Sequence, residues 1–329
     1  MIGRVQPTIE FAGEDTSAWG ALKLIAGTAN PELARLIGEE LQLELTDPRV
    51  RRFSDGEIDV KIQDSMRGHD VFVIQPTCHP VNENLMELFI ILDALRRASA
   101  GRVTAVIPYY GYARKERKSQ PREPISAKLI ANFVTLAGAD RLLLLDLHTD
   151  AIEGFFDVPT DHLTAHKLLA EHMRKRNFHD IAVVAPDAGG AKRAESVANL
   201  LQAPIVFVYK RRPGIEQMEI LEMAGDVRGK DCVVVEDIIS TGGTVATVAA
   251  ALKAHGARSV TIAATHPVLT AGAVERLRAA PIDEVVVTNS IPLPRAKLGP
   301  PITVLSVAPL LAEAIIRVHE NRSVSELFR

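Results

Sequence analysis

Cysteine and aromatic residues are scarce in this sequence. It has two cysteines, Cys78 and Cys232, among 329 residues, and aromatic residues make up only 5% of it. Two cysteines cannot form the disulfide framework of a small secreted domain, and they suit a reducing compartment. No apolar run reaches the roughly 18 residues of a membrane-spanning helix. We therefore expect a cytoplasmic protein that does not enter a membrane.

An excess of charge of one sign is also missing. The chain has 38 Lys and Arg against 41 Asp and Glu, a net charge of −3, which argues against bulk binding to nucleic acid or to a membrane surface. With 47% hydrophobic and 24% charged residues, the composition indicates a globular protein long enough for two domains. The first twenty residues are polar and mixed and lack a signal-peptide core, so we expect residues 1–20 to form a loosely held extension.

From Ala21 onwards, short apolar runs alternate with amphipathic segments. The predicted strands are 22–26, 58–62, 71–75, 103–109, 141–147, 181–185, 205–209, 232–235, 259–265, 284–288 and 302–307. The predicted helices are 31–41, 82–99, 125–137, 162–175, 191–201, 245–254, 271–280 and 309–320. This alternation predicts an α/β fold whose mostly parallel sheets are covered on both faces by right-handed crossovers.

The alternation occurs in two series, which predicts two similar α/β domains. We expect an N-terminal domain over 21–163, joined by a C-terminal helix over 311–329, and a C-terminal domain over 164–310. Binding sites in such folds lie beyond the carboxyl ends of the strands. Most of the motifs described below follow a predicted strand.

The stretch from Asp231 to Thr244, D-C-V-V-V-E-D-I-I-S-T-G-G-T, indicates a sugar-phosphate site. An apolar strand is followed by an acidic pair, a loop of small residues and a helix. Glycines let the backbone approach an anion, and the helix N-terminus adds partial positive charge. The acidic pair can accept hydrogen bonds from sugar hydroxyls. The alternative is a tight strand-to-helix turn with an acidic rim, and the stretch is not a Walker A loop because no G-K-[ST] follows the glycines.

Four other motifs follow or precede predicted strands. The run G-Y-A-R-K-E-R-K from Gly111 is a dense basic loop that suits polyphosphate, although charge runs are often only solvated surface. P-D-A-G-G-A-K-R from Pro186 is a second strand-to-helix cradle whose leading carboxylate suits Mg²⁺. K-R-R-P-G from Lys210 opens a long polar connection typical of a lid or of a charged loop. R-F-S-D-G-E from Arg52 offers a Phe to stack on a purine, or a plug for a turn.

His148 ends the run L-D-L-H at the carboxyl end of a predicted strand. A lone histidine is usually structural, and Mg²⁺ prefers oxygen ligands. Its place near the expected phosphates nevertheless makes it a candidate metal ligand through one ring nitrogen.

Taken together, the motifs resemble those of the phosphoribosyl-pyrophosphate (PRPP) synthetase family, the ribose-phosphate pyrophosphokinases. R-F-S-D-G-E, G-Y-A-R, D-L-H, P-D-A-G-G, K-R-R and E-D-I-I-S-T-G-G-T occur in the family's order, and the resemblance covers about residues 21 to 329. It implies two phosphoribosyltransferase-like domains. It also implies Mg²⁺-dependent transfer of the diphosphoryl group of ATP to the C1 hydroxyl of ribose 5-phosphate, giving PRPP and AMP for nucleotide biosynthesis. The expected assembly is a homo-oligomer, a homohexamer by family resemblance.

The resemblance also implies roles for particular residues. It places ribose 5-phosphate at Glu236, Asp237, Ser240, Thr241, Gly242, Gly243 and Thr244. It places ATP at Phe53, Asp55 and Glu57, supplied by a neighbouring subunit, and at Arg114 and Lys115. The transferred diphosphate would face Asp187, Ala188, Gly189 and Gly190, and the Mg²⁺ ligands would be His148 and Asp187. The implied catalytic residues on a mobile loop are Lys210 and Arg212.

Three positions depart from the family pattern, and two other functions remain as alternatives. Glu236 and Ser240 each stand where the family has Asp, and Lys115 stands where Gln is usual. A nucleobase phosphoribosyltransferase would use only the 231–244 stretch and usually has one α/β domain. A non-catalytic regulatory subunit of the synthetase would not need the residues implied for catalysis and metal binding.

Overall fold

Two β-sheets with helices on both faces form the fold, which confirms the predicted α/β class. The computed structural model describes residues 19–176, 178–211 and 220–328, and the side chains at 210, 211, 220, 221 and 328 lie outside that description. The extension predicted over 1–20 is therefore outside the described residues up to position 18, and Gly20 already belongs to the first strand. Among the described residues, no helix is both long and apolar enough to cross a bilayer.

The N-terminal sheet consists of parallel strands. In spatial order they are β2 (Leu45–Thr46), β1 (Gly20–Ala26), β5 (His69–Ile74), β6 (Arg102–Ile107), β7 (Arg141–Leu145) and β8 (Thr160–Leu163). A separate antiparallel hairpin is formed by β3 (Val50–Arg52) and β4 (Ile58–Val60). The helices of this half are α1 (Pro31–Leu41), α2 (Val81–Arg97) and α3 (Ser126–Ala137). We call residues 20–163 the N-terminal half.

The C-terminal sheet is parallel except for one edge strand. In spatial order it contains β11 (Ile220–Ala224), β10 (Ile205–Arg211), β9 (Ile181–Ala185), β12 (Asp231–Ile239), β13 (Ser259–Pro267), β14 (Glu284–Thr288) and β15 (Ile302–Leu305). Its helices are α4 (His166–Arg174), α5 (Ala191–Leu201), α6 (Gly243–Ala254) and α7 (Ala273–Ala279). We call residues 164–305 the C-terminal half. A further helix, α8 (Ala308–His319), follows it.

Each sheet buries apolar side chains on both faces, which is why its strands are nearly continuous apolar runs. In the N-terminal half, α2 and α3 cover one face, and α1 and α8 cover the other. In the C-terminal half, α6 and α7 cover one face, and α4 and α5 cover the other. The helix α8 thus returns to the N-terminal sheet, where Leu311 and Ile315 pack with Leu24 and Phe72.

The structure corrects the sequence prediction in three places. The helix predicted from His162 begins at His166 instead, because Thr160–Leu163 pairs with β7 as a strand. The strand predicted to end at Val235 continues to Ile239, so the acidic pair lies within β12 and not after it. The polar connection after Lys210 contains β11, which pairs antiparallel with β10, although residues 212–219 lie outside the described part of the chain.

Contacts near the carboxyl ends of the strands join the two halves. Cys78 and Tyr109 pack with Ile291 in one small apolar cluster. The side-chain amide of Asn30 donates to the backbone carbonyl of Asn289 at 2.9 Å. The loops that carry the predicted site residues are therefore brought together at this junction.

Candidate functional site

A cavity of about 290 Å³ lies at the junction of the two halves. The N-terminal half contributes Arg114 and His148, and the C-terminal half contributes Asp187, the acidic pair and the loop that opens α6. The lining residues from the C-terminal half are Asp187, Glu236, Asp237, Ile238, Ile239, Ser240, Thr241, Gly242, Gly243, Thr244 and Val245. Four of the motifs that lie far apart in the sequence thus meet at one cavity, namely those that contain Arg114, His148, Asp187 and the acidic pair.

The loop from Ser240 to Gly242, predicted from the sequence to be an anion cradle, connects β12 to α6. Gly242 adopts the left-handed backbone (φ 73°) immediately before the helix, and a Cβ there would come within 3.3 Å of the Leu277 side chain. Backbone contacts hold the loop in place, since Thr270 N donates to Ser240 O at 3.0 Å and the Arg276 guanidinium donates to Thr241 O. The first N–H groups of α6 therefore face the cavity with the positive end of the helix dipole.

The acidic pair on β12 is held by charged residues from both halves. Asp237 Oδ2 lies 2.7 Å from Nδ1 of His148, and Asp237 Oδ1 lies 2.9 Å from the guanidinium of Arg193. A second nitrogen of Arg193 lies 3.6 Å from Glu236 Oε2. Only 12% of the Glu236 side chain and 5% of the Asp237 side chain are exposed, so these contacts decide the charge of the pair.

The two carboxyl groups have opposite pKa shifts. Burial raises the pKa of Glu236 to about 8, and the negative charges of Asp237 and Asp187 add to this effect while Arg193 opposes it. For Asp237, burial would raise the pKa, but the hydrogen bond with His148 and the charge of Arg193 outweigh it, and the pKa is lowered. The same hydrogen bond raises the pKa of His148. One of the two acids is thus ionised, while the other gains a proton readily in the ligand-free site.

A second cradle follows β9. Asp187 precedes a short 3₁₀ turn, Ala188–Gly190, and its Oδ1 accepts a hydrogen bond from Gly190 N at 2.9 Å. The helix α5 begins at the next residue, and Arg193 lies in its first turn. The predicted diphosphate loop therefore lies beside the acidic pair, with Arg193 linking them.

Arg193 is a site residue that sequence reasoning missed. It stands at the end of the run P-D-A-G-G-A-K-R, where its place in the first turn of a helix after a cradle is visible. Its partners Glu236 and Asp237 lie on another strand, which the run itself does not reveal.

In the N-terminal half, the loop after β6 carries the predicted ATP residues. Thr77 fixes this loop, because its Oγ1 accepts from Gly111 N at 2.7 Å and its N–H donates to Tyr109 O at 2.8 Å. Arg114 lines the central cavity and also an adjoining cavity of about 640 Å³, which Lys115 lines as well. The remaining residues of the adjoining cavity are His79, Val81, Asn82, Tyr109, Gly111 and Tyr112. It gives Arg114 room for a larger ligand on its far side.

The predicted adenine-binding residues do not reach either cavity within the chain. Phe53, Asp55 and Glu57 form the turn between β3 and β4, where Phe53 N donates to Glu57 O at 2.9 Å and Asp55 Oδ1 accepts from Glu57 N at 3.1 Å. The Phe53 ring is 56% exposed. None of the three lines the central or the adjoining cavity.

The predicted catalytic residues are only partly within the described structure. The backbone of Lys210 lies in β10 opposite Leu221, and its side chain is outside the description. Arg212 lies outside the described residues.

The predicted metal ligands, His148 and Asp187, line the same cavity. Among the described residues, no group of three or more His, Cys, Asp or Glu side chains is arranged to hold a metal. One carboxylate and one imidazole do not make an all-protein site. They suit Mg²⁺ only in the manner in which it binds nucleotides, where water and substrate phosphates supply most of the ligands.

Comparison with known proteins identifies relatives along almost the whole chain. Residues 22–138 match the model of the N-terminal domain of ribose phosphate pyrophosphokinase, and residues 208–329 match that of the phosphoribosyl synthetase-associated domain. The ribose-phosphate pyrophosphokinase of Caldanaerobacter subterraneus subsp. tengcongensis is 51% identical over 309 residues, 94% of this chain and 98% of that protein. The ribose-phosphate pyrophosphokinase of Bacillus subtilis is 50% identical over 307 residues, 93% of this chain and 97% of that protein.

A solved structure agrees with these matches. The crystal structure of phosphoribosylpyrophosphate synthetase from Mycobacterium smegmatis superposes with a TM-score of 0.87 at 45% sequence identity, covering 92% of this chain and all of that one. The similarity therefore extends through both sheets and the junction between them.

Proposed function

The chain belongs to the ribose-phosphate pyrophosphokinase family, and from this premise we propose how its residues perform the family's reaction. The enzyme is a transferase that makes PRPP from ATP and ribose 5-phosphate. The C1 hydroxyl of the sugar attacks the β-phosphorus of ATP and a new C1–O–P bond forms. The bond from the β-phosphorus to the oxygen that bridges to the α-phosphate breaks, AMP leaves with that oxygen, and the hydroxyl proton is released to solvent. The observation that carries the proposal is the cavity where Arg114 and His148 face the acidic pair and the 240–244 cradle.

The C-terminal half is proposed to bind ribose 5-phosphate. Its phosphate would lie in the cradle from Ser240 to Thr244, where backbone N–H groups and the α6 dipole favour an anion. Asp237 and Glu236 would accept hydrogen bonds from the ribose hydroxyls. Arg193 supports this role because it holds Asp237 ionised and in one orientation, with a contact of 2.9 Å.

The ATP phosphates are proposed to lie between the halves. Arg114 and Lys115 would contact them from the N-terminal half, and residues 187–190 would face the transferred diphosphate. We propose that His148 and Asp187 hold Mg²⁺, which would supply neutralisation of phosphate charge when bound. Lys210 and Arg212 would add two cations beside the transferring group. In-line transfer depends mostly on such positioning and charge stabilisation.

We propose that the chain folds as two domains, 21–163 and 164–310, with residues 311–329 joined to the first. The separate sheets and the packing of α8 on the N-terminal sheet support this division. We also propose a cytoplasmic enzyme that binds neither nucleic acid nor membrane. Both cysteines are free and buried, which suits a reducing compartment.

Adenine binding is proposed to need a second subunit. The Phe53 turn lines neither the central nor the adjoining cavity, while the cavity beside Arg114 has space for a base. We propose that Phe53, Asp55 and Glu57 close this cavity on a neighbouring copy. Exposed apolar side chains on α2 and α3 support self-association, including Met86, Leu129 and Leu136, the last 74% exposed. The family suggests a hexamer.

The reaction is tested by incubating the chain with Mg-ATP and ribose 5-phosphate in the absence of any nucleobase. Formation of AMP and PRPP in equal amounts, followed by phosphorus NMR, is the expected result. A nucleobase phosphoribosyltransferase would release no AMP, and a regulatory subunit would form no product alone. Either outcome would contradict the proposal.

The shared site is tested by mixing two inactive variants, Phe53→Ala and Lys210→Ala. Because each mixed interface can contain one intact set of residues, the mixture should regain activity that neither variant has alone. Sedimentation velocity run beside the assay should show an oligomer. A fully active monomer would refute the shared site while leaving the reaction itself intact.

A further inference from the structure

Asp146 joins the end of β7 to the opposite half of the molecule, and the reaction described above gives it no role. Its carboxylate is buried, and Oδ2 accepts hydrogen bonds from Thr265 Oγ1 at 2.5 Å and from Ala165 N at 2.9 Å. The other oxygen, Oδ1, lies 3.6 Å from Nε2 of His166. A buried carboxylate with this many donors is fixed in a single orientation.

His266 holds the backbone of the same turn. Its Nε2 lies 3.0 Å from the carbonyl oxygen of Asp146 and 3.1 Å from that of Leu145, so this nitrogen carries the proton and donates to them. Its Nδ1 lies 2.9 Å from Ser290 Oγ, and the ring packs edge-on against Tyr109 at a centroid distance of 5.1 Å. The ring is 2% exposed. Both the side chain and the carbonyl of Asp146 are therefore held by β13.

The backbone at Asp146 is left-handed, with φ 38°, which is unfavourable for a residue with a side chain. Surrounding contacts must hold such a conformation, and those from Thr265 and His266 do so here. Two residues further on, His148 meets Asp237 at 2.7 Å. The strained turn thus lies directly before the residue that crosses to the acidic pair.

Two contacts cross between the halves, Asp146 to Thr265 and His148 to Asp237, and the strand register places them side by side. Glu236 on β12 pairs with Ala264 on β13, so Asp237 and Thr265 stand at the same level on neighbouring strands. One crossing joins Asp146 to Thr265, and the other joins His148 to Asp237. The first crossing is fully buried, whereas the second faces the cavity.

We propose that Asp146, Thr265 and His266 form a clamp that positions His148 for phosphoryl transfer. In this role the three are positioning residues, because they act through His148 and do not touch the substrates. The inference rests on the proposed function of the cavity. It accounts for a buried, charged network at a place where the end of β7 is aligned with a strand of the other sheet.

The test compares three full-length variants on β13. Thr265→Val removes the hydroxyl with little change of volume, Thr265→Ser restores it, and Thr261→Val makes the same change at an equally buried position outside the network. We expect Thr265→Val to lower kcat about tenfold with the KM for ribose 5-phosphate within about twofold of wild type, since the 240–244 cradle is untouched. Thr265→Ser and Thr261→Val should stay near wild type.

A second measurement does not depend on the reaction. The nitrogen-15 NMR signal of the His148 imidazole in the ligand-free enzyme reports its hydrogen bond to Asp237, and it should move in Thr265→Val but not in Thr261→Val. If the wild-type chain made no PRPP, the proposed function would fail while this signal still tested the clamp. An unmoved signal with unchanged kcat in Thr265→Val would overturn the clamp, as would an equal loss in Thr261→Val.

Melting temperatures show whether each variant is folded. Should Thr265→Val not fold, Ser290→Ala takes its place, because it removes only the hydroxyl beside His266. We expect about a threefold loss of kcat with the His148 signal shifted in the same direction. No change in either quantity would refute the clamp.

Discussion

Each half of the molecule contains a strand that passes through a short loop of small residues into a helix, but a carboxylate of the protein itself fills the first loop, whereas the second opens onto a cavity. In the N-terminal half, the loop after β1 is filled from within. Thr28 donates from its backbone N–H and its hydroxyl to the two carboxylate oxygens of Glu87, each at 2.6 Å. Glu87 is completely buried, and Gln75 donates to it at 3.0 Å. The two donors of Thr28 are therefore satisfied within the protein.

In the C-terminal half, the corresponding loop after β12 opens onto the cavity. Among the described residues, no carboxylate accepts a hydrogen bond from residues 240–244. The comparison teaches that a strand, a small-residue loop and a helix are not enough to make a binding site. Whether such a loop can bind an anion depends on whether a carboxylate of the protein already accepts the hydrogen bonds of its donors.

The largest effect is expected from Lys210 and Arg212, the two cations that we propose act beside the transferring group. Lys210→Ala and Arg212→Ala should each lower kcat by about 10²–10³-fold, because losing a preorganised charge at the transition state costs ~3–4 kcal/mol. Steady-state kinetics with both substrates varied measures this, and the Michaelis constants should move far less. Lys230→Ala is the control, since Lys230 pairs with Asp180 at the opposite end of β12. Turnover within a few-fold of wild type in both site variants would show that the loop is solvated surface.

A pair of glycines tests the open loop itself. Gly242 and Gly272 both precede helices with a left-handed backbone, at φ 73° and 78°, but only Gly242 lines the cavity. Gly242→Ala should raise the KM for ribose 5-phosphate roughly thirtyfold, because strain and contact with Leu277 distort the cradle. Gly272→Ala carries similar backbone strain in open space and should leave that KM unchanged. Equal effects on KM would mean that the cradle does not bind the phosphate.

The filled loop should matter for stability and not for binding. Glu87→Gln removes the internal charge with little change of volume and should lower the free energy of unfolding by about 2 kcal/mol, since hydrogen bonds to a buried charged group are lost. Denaturant unfolding measures it, and the KM for ribose 5-phosphate should remain near wild type. Glu83→Gln, on the same helix but with an exposed ion pair to Arg52, should change stability by less than about 1 kcal/mol. A large rise in KM for Glu87→Gln would contradict the division of roles.

The smallest effect concerns Ser240, where the family has a carboxylate. Serine adds no charge beside the phosphate, so Ser240→Asp should keep the reaction type and shift the KM for ribose 5-phosphate by about tenfold or less. Ser240→Ala should change it less still. Saturation with ribose 5-phosphate at saturating Mg-ATP is the measurement. Abolished turnover in either variant would make Ser240 part of the chemistry.

The alternation of apolar runs was enough to predict most strands and helices, because each run is set by local periodicity. The prediction that a helix begins at His162 was wrong for a non-local reason. Leu163 is buried in a strand because Asp161 pairs with Leu143 on β7. The edge strand β11 was missed because Ile220–Ala224 shows no clear alternation, and its pairing with β10 is what makes it a strand.

The sequence was enough to identify the loops that form the site, but not the contacts that their side chains make with one another. The runs around His148, Asp187 and Asp237 identified residues that do line one cavity. The guanidinium of Arg193 between two carboxylates could not be read from sequence, since it depends on how α5 packs beside β12. The turn at Phe53 is the opposite case, because its motif was recognised in the sequence but it lines neither the central nor the adjoining cavity of its own chain.

The position of α8 has a consequence for folding while the chain is being synthesised on the ribosome. One face of the N-terminal sheet is completed by α8, where Arg102 donates to Val318 O at 3.0 Å and His319 contacts Asp70 at 2.9 Å. At about 5–20 residues per second, synthesis reaches residue 319 roughly eight to thirty seconds after residue 163. Throughout that interval α1 alone is available to cover the apolar face around Phe72. Until the other half has been made, the nascent N-terminal half therefore exposes the apolar surface that α8 covers in the folded protein.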